Sequence, residues 1–345
     1  MPFTAQELVN VANATIDFHE RKQPDSQIKQ SRPLLDDLMR GKRAFPGGTE
    51  YITGPVKGVY SSEFVGYEHD DEQPYVNPAN IKRYQAKWYE LGAGIQFTGT
   101  ELKKNGISVV DTTTGERVSR HSQRELIALV DLVEDKMEDL TEGPMRSLQN
   151  ICWQDGTQDS KVFPGVTSFI TTTPTTGTTF GIDRVSNPWW RNRATLNISA
   201  TTPSDLNITN TLQKEVRQLR RYGAPRHKMY AGSDFLDAWE KEIRSKGNFT
   251  LDGWAKQGSI DASMADLALK GILCQYDPHL DDLGLQKHMF LLDLASIILR
   301  PMEGEEFKDH NPARPPEKYV YYRARTWTGA LVAKQLNTSG RYSIA

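Results

Sequence analysis

The sequence predicts an α+β fold in which long stretches of chain lack a core of their own. Three patterns predict it. A helical pattern runs from Ser122 to Asn150, a turn-punctuated hairpin segment fills Phe45–Gly106, and an alternating strand runs from Tyr319 to Leu336. With 345 residues, at roughly 150 per domain, the chain holds about two domains' worth of material.

Residues 1–45 mix a short helical pattern (Leu8, Val11, Ile16) with a polar stretch holding Arg21, Lys22, Lys29, Arg32, Arg40, Lys42 and Arg43. Apolar residues recur too sparsely there to bury a face, so an arm is expected rather than a domain. The next segment is broken at Pro46-Gly47-Gly48, Gly54-Pro55, Pro74 and Pro78, with alternating patches at Val59–Val65 and from Trp88-Tyr89 to Phe97. That is the grammar of a hairpin. An acidic run (Glu68, Asp70, Asp71, Glu72) precedes a basic one (Lys82, Arg83, Lys87). An isolated two-stranded hairpin is marginal in water, so this one is expected to lie on another surface.

In the long helix, apolar residues fall at Leu126, Ile127, Leu129, Val130, Leu132, Val133, Met137, Leu140 and Met145, with acids on the remaining face. Gly143-Pro144 marks an expected bend. At 1.5 Å per residue the element is on the order of 40 Å long. The pattern alone fits a plain amphipathic core helix as well. Beyond it come a turn-rich loop (Gln154–Thr157, Pro164-Gly165) and a Thr-rich, strand-like run, Thr167–Thr179. A helix from Thr211 to Tyr222 buries Leu212, Val216 and Leu219 and shows Lys214, Arg217, Arg220 and Arg221 outward. A strand at Lys228–Ala231 turns through Gly232-Ser233 into a helix with Phe235, Leu236, Trp239 and Ile243 on one face, Ser233 serving as N-cap. A loop, Gly247–Ser259, leads to strands at Gly271–Tyr276 and Met289–Leu299 before the terminal strand.

Composition narrows the function. Lys and Arg number 42 against 44 Asp and Glu, a net charge of −2. No excess of cations exists to drive tight nucleic-acid binding. Mean hydropathy is −0.59, and no stretch approaches the ~18 apolar residues of a membrane span. The opening MPFTAQELVN has neither a basic start nor an apolar run, so no signal peptide is expected. Two cysteines far apart, Cys152 and Cys274, argue for a reducing compartment and against a disulfide framework.

Seven histidines form no HExxH, and there is no CxxC, no GxxxxGK[ST], no GxGxxG and no GxSxG. Asp277-Pro278-His279 with Asp281 and Asp282 is the densest polar cluster. It reads as a solvated turn between strands before it reads as a metal or acid–base site. The missing signatures together argue against an enzyme, and no metal or cofactor is expected. Trp189-Trp190-Arg191-Asn192 admits two readings. It is a flat stacking surface for sugars or bases, or a packing anchor at a domain boundary or subunit contact. The anchor reading is favoured.

The order of elements resembles the major capsid proteins of tailed bacteriophages, the Hong Kong 97-type fold shared with encapsulin compartments. Four stretches carry the resemblance: the long helix running into Cys152-Trp153-Gln154-Asp155-Gly156-Thr157; Gly181-Ile182-Asp183-Arg184 with Trp189-Trp190-Arg191-Asn192; His227–Arg244; and Gly271-Ile272-Leu273 with Met289–Arg300 and Tyr321–Lys334. It covers roughly residues 45–345.

The resemblance implies an N-terminal arm (1–45), an extended hairpin loop (46–107) and a peripheral domain with a spine helix (108–164). It further implies an axial domain (165–285), with Gly247–Ser259 at the five- and six-fold axes, and return strands (286–345). It implies a shell of pentamers and hexamers around double-stranded DNA, located in the virion and assembled in the host cytoplasm. Trp189, Trp190, Arg191, Glu68, Asp70, Asp71, Lys82, Arg83 and Lys87 are then expected at subunit interfaces, where opposed charges set register more than affinity. Expected partners are further copies of the chain, a separate scaffolding protein (the arm being too short for a built-in one), a portal, minor or decoration proteins, and DNA touched without sequence preference, but no membrane. Some relatives cross-link hairpin lysines to an asparagine. Lys57, Lys82 and Lys87 are available, but no partner such as Asn337 can be assigned. The rival readings are an encapsulin-like compartment and a carbohydrate-active or carbohydrate-binding enzyme using Trp189, Trp190 and Asp183.

Overall fold

In a computed structural model of the chain, the described residues are 30–60, 62–72, 75, 77, 81–98, 123–200, 207–223, 227–245, 267–310 and 320–345. The helical pattern at Leu8, Val11 and Ile16 and the Gly247–Ser259 loop lie outside them, as do the side chains from Leu126 to Val133 and that of Met137.

The first described element corrects an expectation. Pro33–Arg40 is a helix, α1, with Pro at its first turn, and Leu34, Leu35 and Leu38 are fully buried. Three leucines at i, i+1 and i+4 suffice to bury one face of so short a helix. Its Asp37 carboxylate accepts from Lys228 Nζ at 2.6 Å and Tyr230 Oη at 2.7 Å. Residues 33–40 are therefore built into a core, and Phe45 is buried too.

Strands β1 (Tyr51–Lys57) and β2 (Ile81–Lys87) form the expected antiparallel hairpin, pairing Tyr51 with Lys87 through Lys57 with Ile81. Strand β3 (Tyr89–Thr98) follows, and then helix α2 (Gln123–Trp153), 31 residues that continue through Pro144. The Thr-rich run is not a strand. Val166–Phe169 is a helical turn, α3, and only Thr178–Thr179 (β4) is extended, pairing with Ile182–Asp183 (β5). β-branched residues favour strands, but here Thr167 Oγ1 donates to Trp153 O at 2.7 Å and Pro174 interrupts the run.

Next come β6 (Arg193–Ile198), α4 (Ile208–Arg220), β7 (His227–Ala231) and α5 (Ser233–Ser245). No side chain of its own segment caps α4. The Glu242 carboxylate of α5 does so, accepting from the amides of Ile208 at 2.7 Å and Thr209 at 3.1 Å. Ser233 is not an N-cap but the first residue of α5, and its amide donates to Asp281 Oδ1 at 3.0 Å. Strands β8 (Ala268–Leu269) and β9 (Ile272–Tyr276) and the short helix α6 (Pro278–Asp282) follow.

The run Met289–Leu299 is two strands, β10 (His288–Asp293) and β11 (Ile297–Pro301). Asp293 makes the break, its carboxylate accepting from the Ala295 amide at 3.1 Å and from Ser296 Oγ. After β12 (Lys308–His310), the terminal run ends at Ala333 as β13 (Val320–Ala333), and a further strand, β14 (Gly340–Ile344), turns away from it.

The chain divides into two compact units. One contains residues 1–30, Gly92–Ser147 and Phe307–Thr326. Here β3 and β12 both pair with β13. Arg325 grips Asp309 at 2.8 and 3.2 Å and reaches Thr141 Oγ1 on α2 at 3.2 Å. The other contains Ser31–Leu91, Leu148–Glu306 and Trp327–Ala345. Its six-stranded sheet has the order β6-β14-β10-β7-β9-β8, with β6–β14 and β7–β9 parallel and the other pairs antiparallel. Helices α4 and α5 cover it, burying Ile208, Leu212, Val216, Leu219, Phe235 and Trp239 against Met229, Cys274, Leu291 and Tyr342. Both cysteines are buried and neither is in a disulfide, and burial pushes the Cys152 thiol up to about 12.

His288 sits half-buried beside Arg341, whose Nε lies 3.5 Å from its Nδ1. Burial first and the Arg341 cation second lower its pKa from 6.5 to about 4. Between those values the unfolded chain binds the proton and the folded one does not, so stability falls as pH drops through that window. Unfolding midpoints measured from pH 7 to 4 are expected to decline more shallowly in His288→Gln than in wild type. Parallel profiles contradict this.

Candidate functional site

The hairpin and the Trp189 element form the most conspicuous surface. In β1–β2, only Ile52, Tyr84 and Ala86 are buried, and Gly54 makes room for the Tyr84 ring, which lies 2.5–2.6 Å from where a Cβ would stand. Beyond the strands, the described residues of the expected Val59–Val65 patch belong to no strand. Val59, Tyr60, Phe64, Val65, Tyr67 and Tyr75 all stand exposed. Isolated apolar side chains on a surface are ordinary; six exposed on one connection are an unusual concentration.

The acidic run closes a turn, with the Asp71 amide donating to Glu68 O and the Glu68 amide to Asp71 Oδ2, each at 3.0 Å. Glu68, Asp70, Asp71 and Glu72 point into solvent, as do Lys82, Arg83 and Lys87 on β2. Among the described residues no ion pair joins the two runs within one chain. Lys57 and Lys87 lie over the rings of Tyr60 and Tyr89, at 4.4 and 5.4 Å.

The Gln85 amide of β2 donates to Phe180 O at 2.9 Å, and Gly58, just past the loop end of β1, comes so close to the Trp189 indole that a Cβ there would stand 2.1–2.5 Å from the ring. Trp189 and Trp190 belong to one 3-10 turn, Pro188–Trp190, their rings 5.8 Å apart and edge to face. Trp189 is half-buried. Trp190 is fully buried and donates from Nε1 to Thr179 O at 3.1 Å. This corrects its expected place at a subunit contact, because its ring is enclosed by its own chain. It also takes Trp190 out of the sugar-stacking reading, leaving Trp189 as its one accessible ring of the pair. Asp183, the acid of that reading, instead accepts from the amides of Val185 and Ser186 and from Ser186 Oγ, which hold its pKa below the usual value.

Arg191 donates to the carbonyls of Arg184 at 2.7 Å and Val185 at 3.0 Å. Arg184 is wholly buried without a carboxylate. It donates to Phe169 O, to Thr171 Oγ1 at 2.7 Å and to Asn192 Oδ1 at 3.2 Å, and burial lowers its pKa to about 10, leaving it charged. The Gly181–Arg184 and Trp189–Asn192 motifs are thus one knot of hydrogen bonds. Beside it lies a groove of about 310 Å³ lined by Trp189, Arg191, Arg193, Tyr222 and Asn337.

The Asp277 cluster is not a solvated turn. Asp277 and His279 are fully buried. Asp277 Oδ2 accepts from Trp153 Nε1 at 2.7 Å and Gln149 Nε2 at 2.8 Å, and Oδ1 accepts from the His279 amide at 3.0 Å. Gln149 Oε1 in turn accepts the Leu35 amide at 2.7 Å. Among the described residues no group of three or more His, Cys, Asp and Glu side chains is placed to hold a metal, and no helix is long and apolar enough to cross a membrane.

No family model matches the chain, and no curated protein matches it in sequence. Solved structures do match. The cyanophage A-1(L) capsid asymmetric unit aligns at TM-score 0.60 and 14% identity, covering 93% of this chain and 95% of that one. The chain has the fold of phage capsid proteins. The same capsid fold in the native GTA particle aligns at TM-score 0.57 and 14% identity over 94% of each chain. In the mature capsid of bacteriophage PhiM1 the TM-score is 0.57 at 7% identity, over 94% and 90%.

Proposed function

We propose that the chain is a major capsid protein of a tailed bacteriophage, a structural protein rather than an enzyme, which assembles into pentamers and hexamers of an icosahedral shell around double-stranded DNA. One observation carries the reading. A capsid fold is matched along nearly the full length of both chains, and in this chain it presents an exposed aromatic hairpin.

In this reading the hairpin loop (46–107) reaches onto neighbouring copies, which cover Phe64, Tyr67 and Tyr75. Glu68, Asp70 and Asp71 of one copy oppose Lys82, Arg83 and Lys87 of another and set register. Trp189 seats the hairpin at Gly58, and Arg191 braces the Arg184–Val185 turn beside it. Helix α2 is the spine of the peripheral domain (108–164 and 286–345), and residues 165–285 form the axial domain. Contacts of this kind are heterologous and close into rings. Assembly takes place in the host cytoplasm with a separate scaffolding protein and a portal, and the product is the virion capsid.

Negative-stain microscopy of the expressed full-length protein is expected to show rings or closed shells. A compact monomer at every concentration overturns the reading. Nucleic acid in particles purified from an infection separates a viral shell from an encapsulin-like compartment.

A further inference from the structure

The chain is nearly neutral as a whole, with a net charge of −2, but one helix face is not. Helix α4 turns Ile208, Leu212, Val216 and Leu219 inward and presents Lys214, Arg217 and Arg220 to solvent, with Arg221 directly after them. Lys270, between β8 and β9, joins this face. Its Nζ donates to Gln213 O at 3.3 Å, and Arg220 donates back to Lys270 O at 3.0 Å. The helix's one acid, Glu215, is buried and grips Arg193. Among the described residues, none of the five cations makes an ion pair.

Lys214, Arg217 and Arg221 follow one another at i, i+3 and i+7, a row about 10 Å long at 1.5 Å rise per residue. Guanidinium forks match phosphate oxygens, and long side chains tolerate imperfect spacing. We propose that this face of α4, with Lys270, contacts the phosphate backbone of the double-stranded DNA enclosed by the shell. The inference rests on the reading above for its partner and gives that partner a surface. A duplex carries one charge per about 1.7 Å of axis and so meets the whole row at once. The competing occupant, the acidic run of a second copy, is drawn into a single turn by the Glu68–Asp71 hydrogen bonds. With so few cations the contact is weak and independent of sequence, which suits a genome that has to leave.

The test measures binding of the full-length protein to a random-sequence duplex by fluorescence anisotropy across a salt series. Each phosphate neutralised contributes about −0.9 to the slope of log affinity against log salt. The Lys214→Gln/Arg217→Gln/Arg221→Gln variant is expected to show a slope shallower by about three, with circular dichroism unchanged. The charge-conserving Lys214→Arg/Arg217→Lys/Arg221→Lys variant is expected to keep the wild-type slope. Each single Gln variant is expected to lower the slope by about one, which decides the matter should the triple variant misfold. An unchanged slope in the Gln variants overturns the proposal. So does a Gln variant that binds DNA normally but no longer assembles, which reassigns the face to a subunit contact. A slope that falls as expected in a protein that forms no shells leaves this surface standing and removes the shell reading alone.

Discussion

Replacing Asp277 with alanine is expected to destabilise the subunit by about 3–5 kcal/mol, the range for breaking a buried polar network at a shared acceptor. The carboxyl group is fully buried and serves three donors on two segments: Trp153 Nε1 and Gln149 Nε2 at the end of α2, and the amide of His279 at the start of α6. Truncation leaves the indole, the amide and the backbone N–H without water or protein to accept from them. Asp277→Asn keeps the volume but turns an NH2 group toward donors, so a smaller loss, about 1–3 kcal/mol, is expected. Urea unfolding of the unassembled full-length protein reads both. A loss below about 1 kcal/mol for the alanine variant means that the network is not what ties α1 and the end of α2 to the sheet.

Gly58→Ala is expected to abolish shell assembly while leaving the subunit folded. An added Cβ would stand 2.1–2.5 Å from Cε2, Cδ2 and Nε1 of Trp189, far inside contact distance, so the hairpin or the indole has to move. Overpacking of this kind costs typically 1–3 kcal/mol. Within one subunit that is tolerable. In a ring it shifts the hairpin of every copy, and the misfit recurs at each contact. Trp189→Ala in the same chain is expected to restore part of the assembly, giving a coupling energy between the two sites. Shells from Gly58→Ala at wild-type yield, scored by sedimentation and microscopy, contradict the role given to Trp189.

Legibility from sequence followed the reach of the forces involved. Helix α2 announces itself by apolar spacing, and so do helices α4 and α5, each of which packs one face against the six-stranded sheet. The hairpin was readable from its Pro and Gly punctuation. Elements decided by distant partners were not. Thr167–Thr179 has strand composition, but its hydroxyls and Pro174 settle it as turn. The break between β10 and β11 depends on what the Asp293 side chain bonds. Strand β14 is enclosed by β6 and β10, so it shows little of the alternation that reveals a half-exposed strand. The site divided the same way. The charged runs were visible as runs, whereas Trp190 turns inward onto Thr179 across a local turn that leaves no spacing signal, and the seat of Asp277 depends on α2, far off in sequence. The aromatic patch carried a signal that the alternating reading of Val59–Val65 absorbed as strand: Tyr60, Phe64, Val65 and Tyr67 crowd one short stretch.

The placement of β14 has a consequence for timing. Strand β6 reaches the six-stranded sheet only through β14, with Arg193 paired to Gly340 and Thr195 to Tyr342. A ribosome that has released residues 193–198 has not yet made the strand they rest on, and pairing between such remote segments is slow to nucleate. A half-synthesised copy therefore has an open seam down its principal sheet. In the proposed shell, interlocking with siblings then awaits the finished polypeptide, and truncated products are barred from the lattice by the same seam.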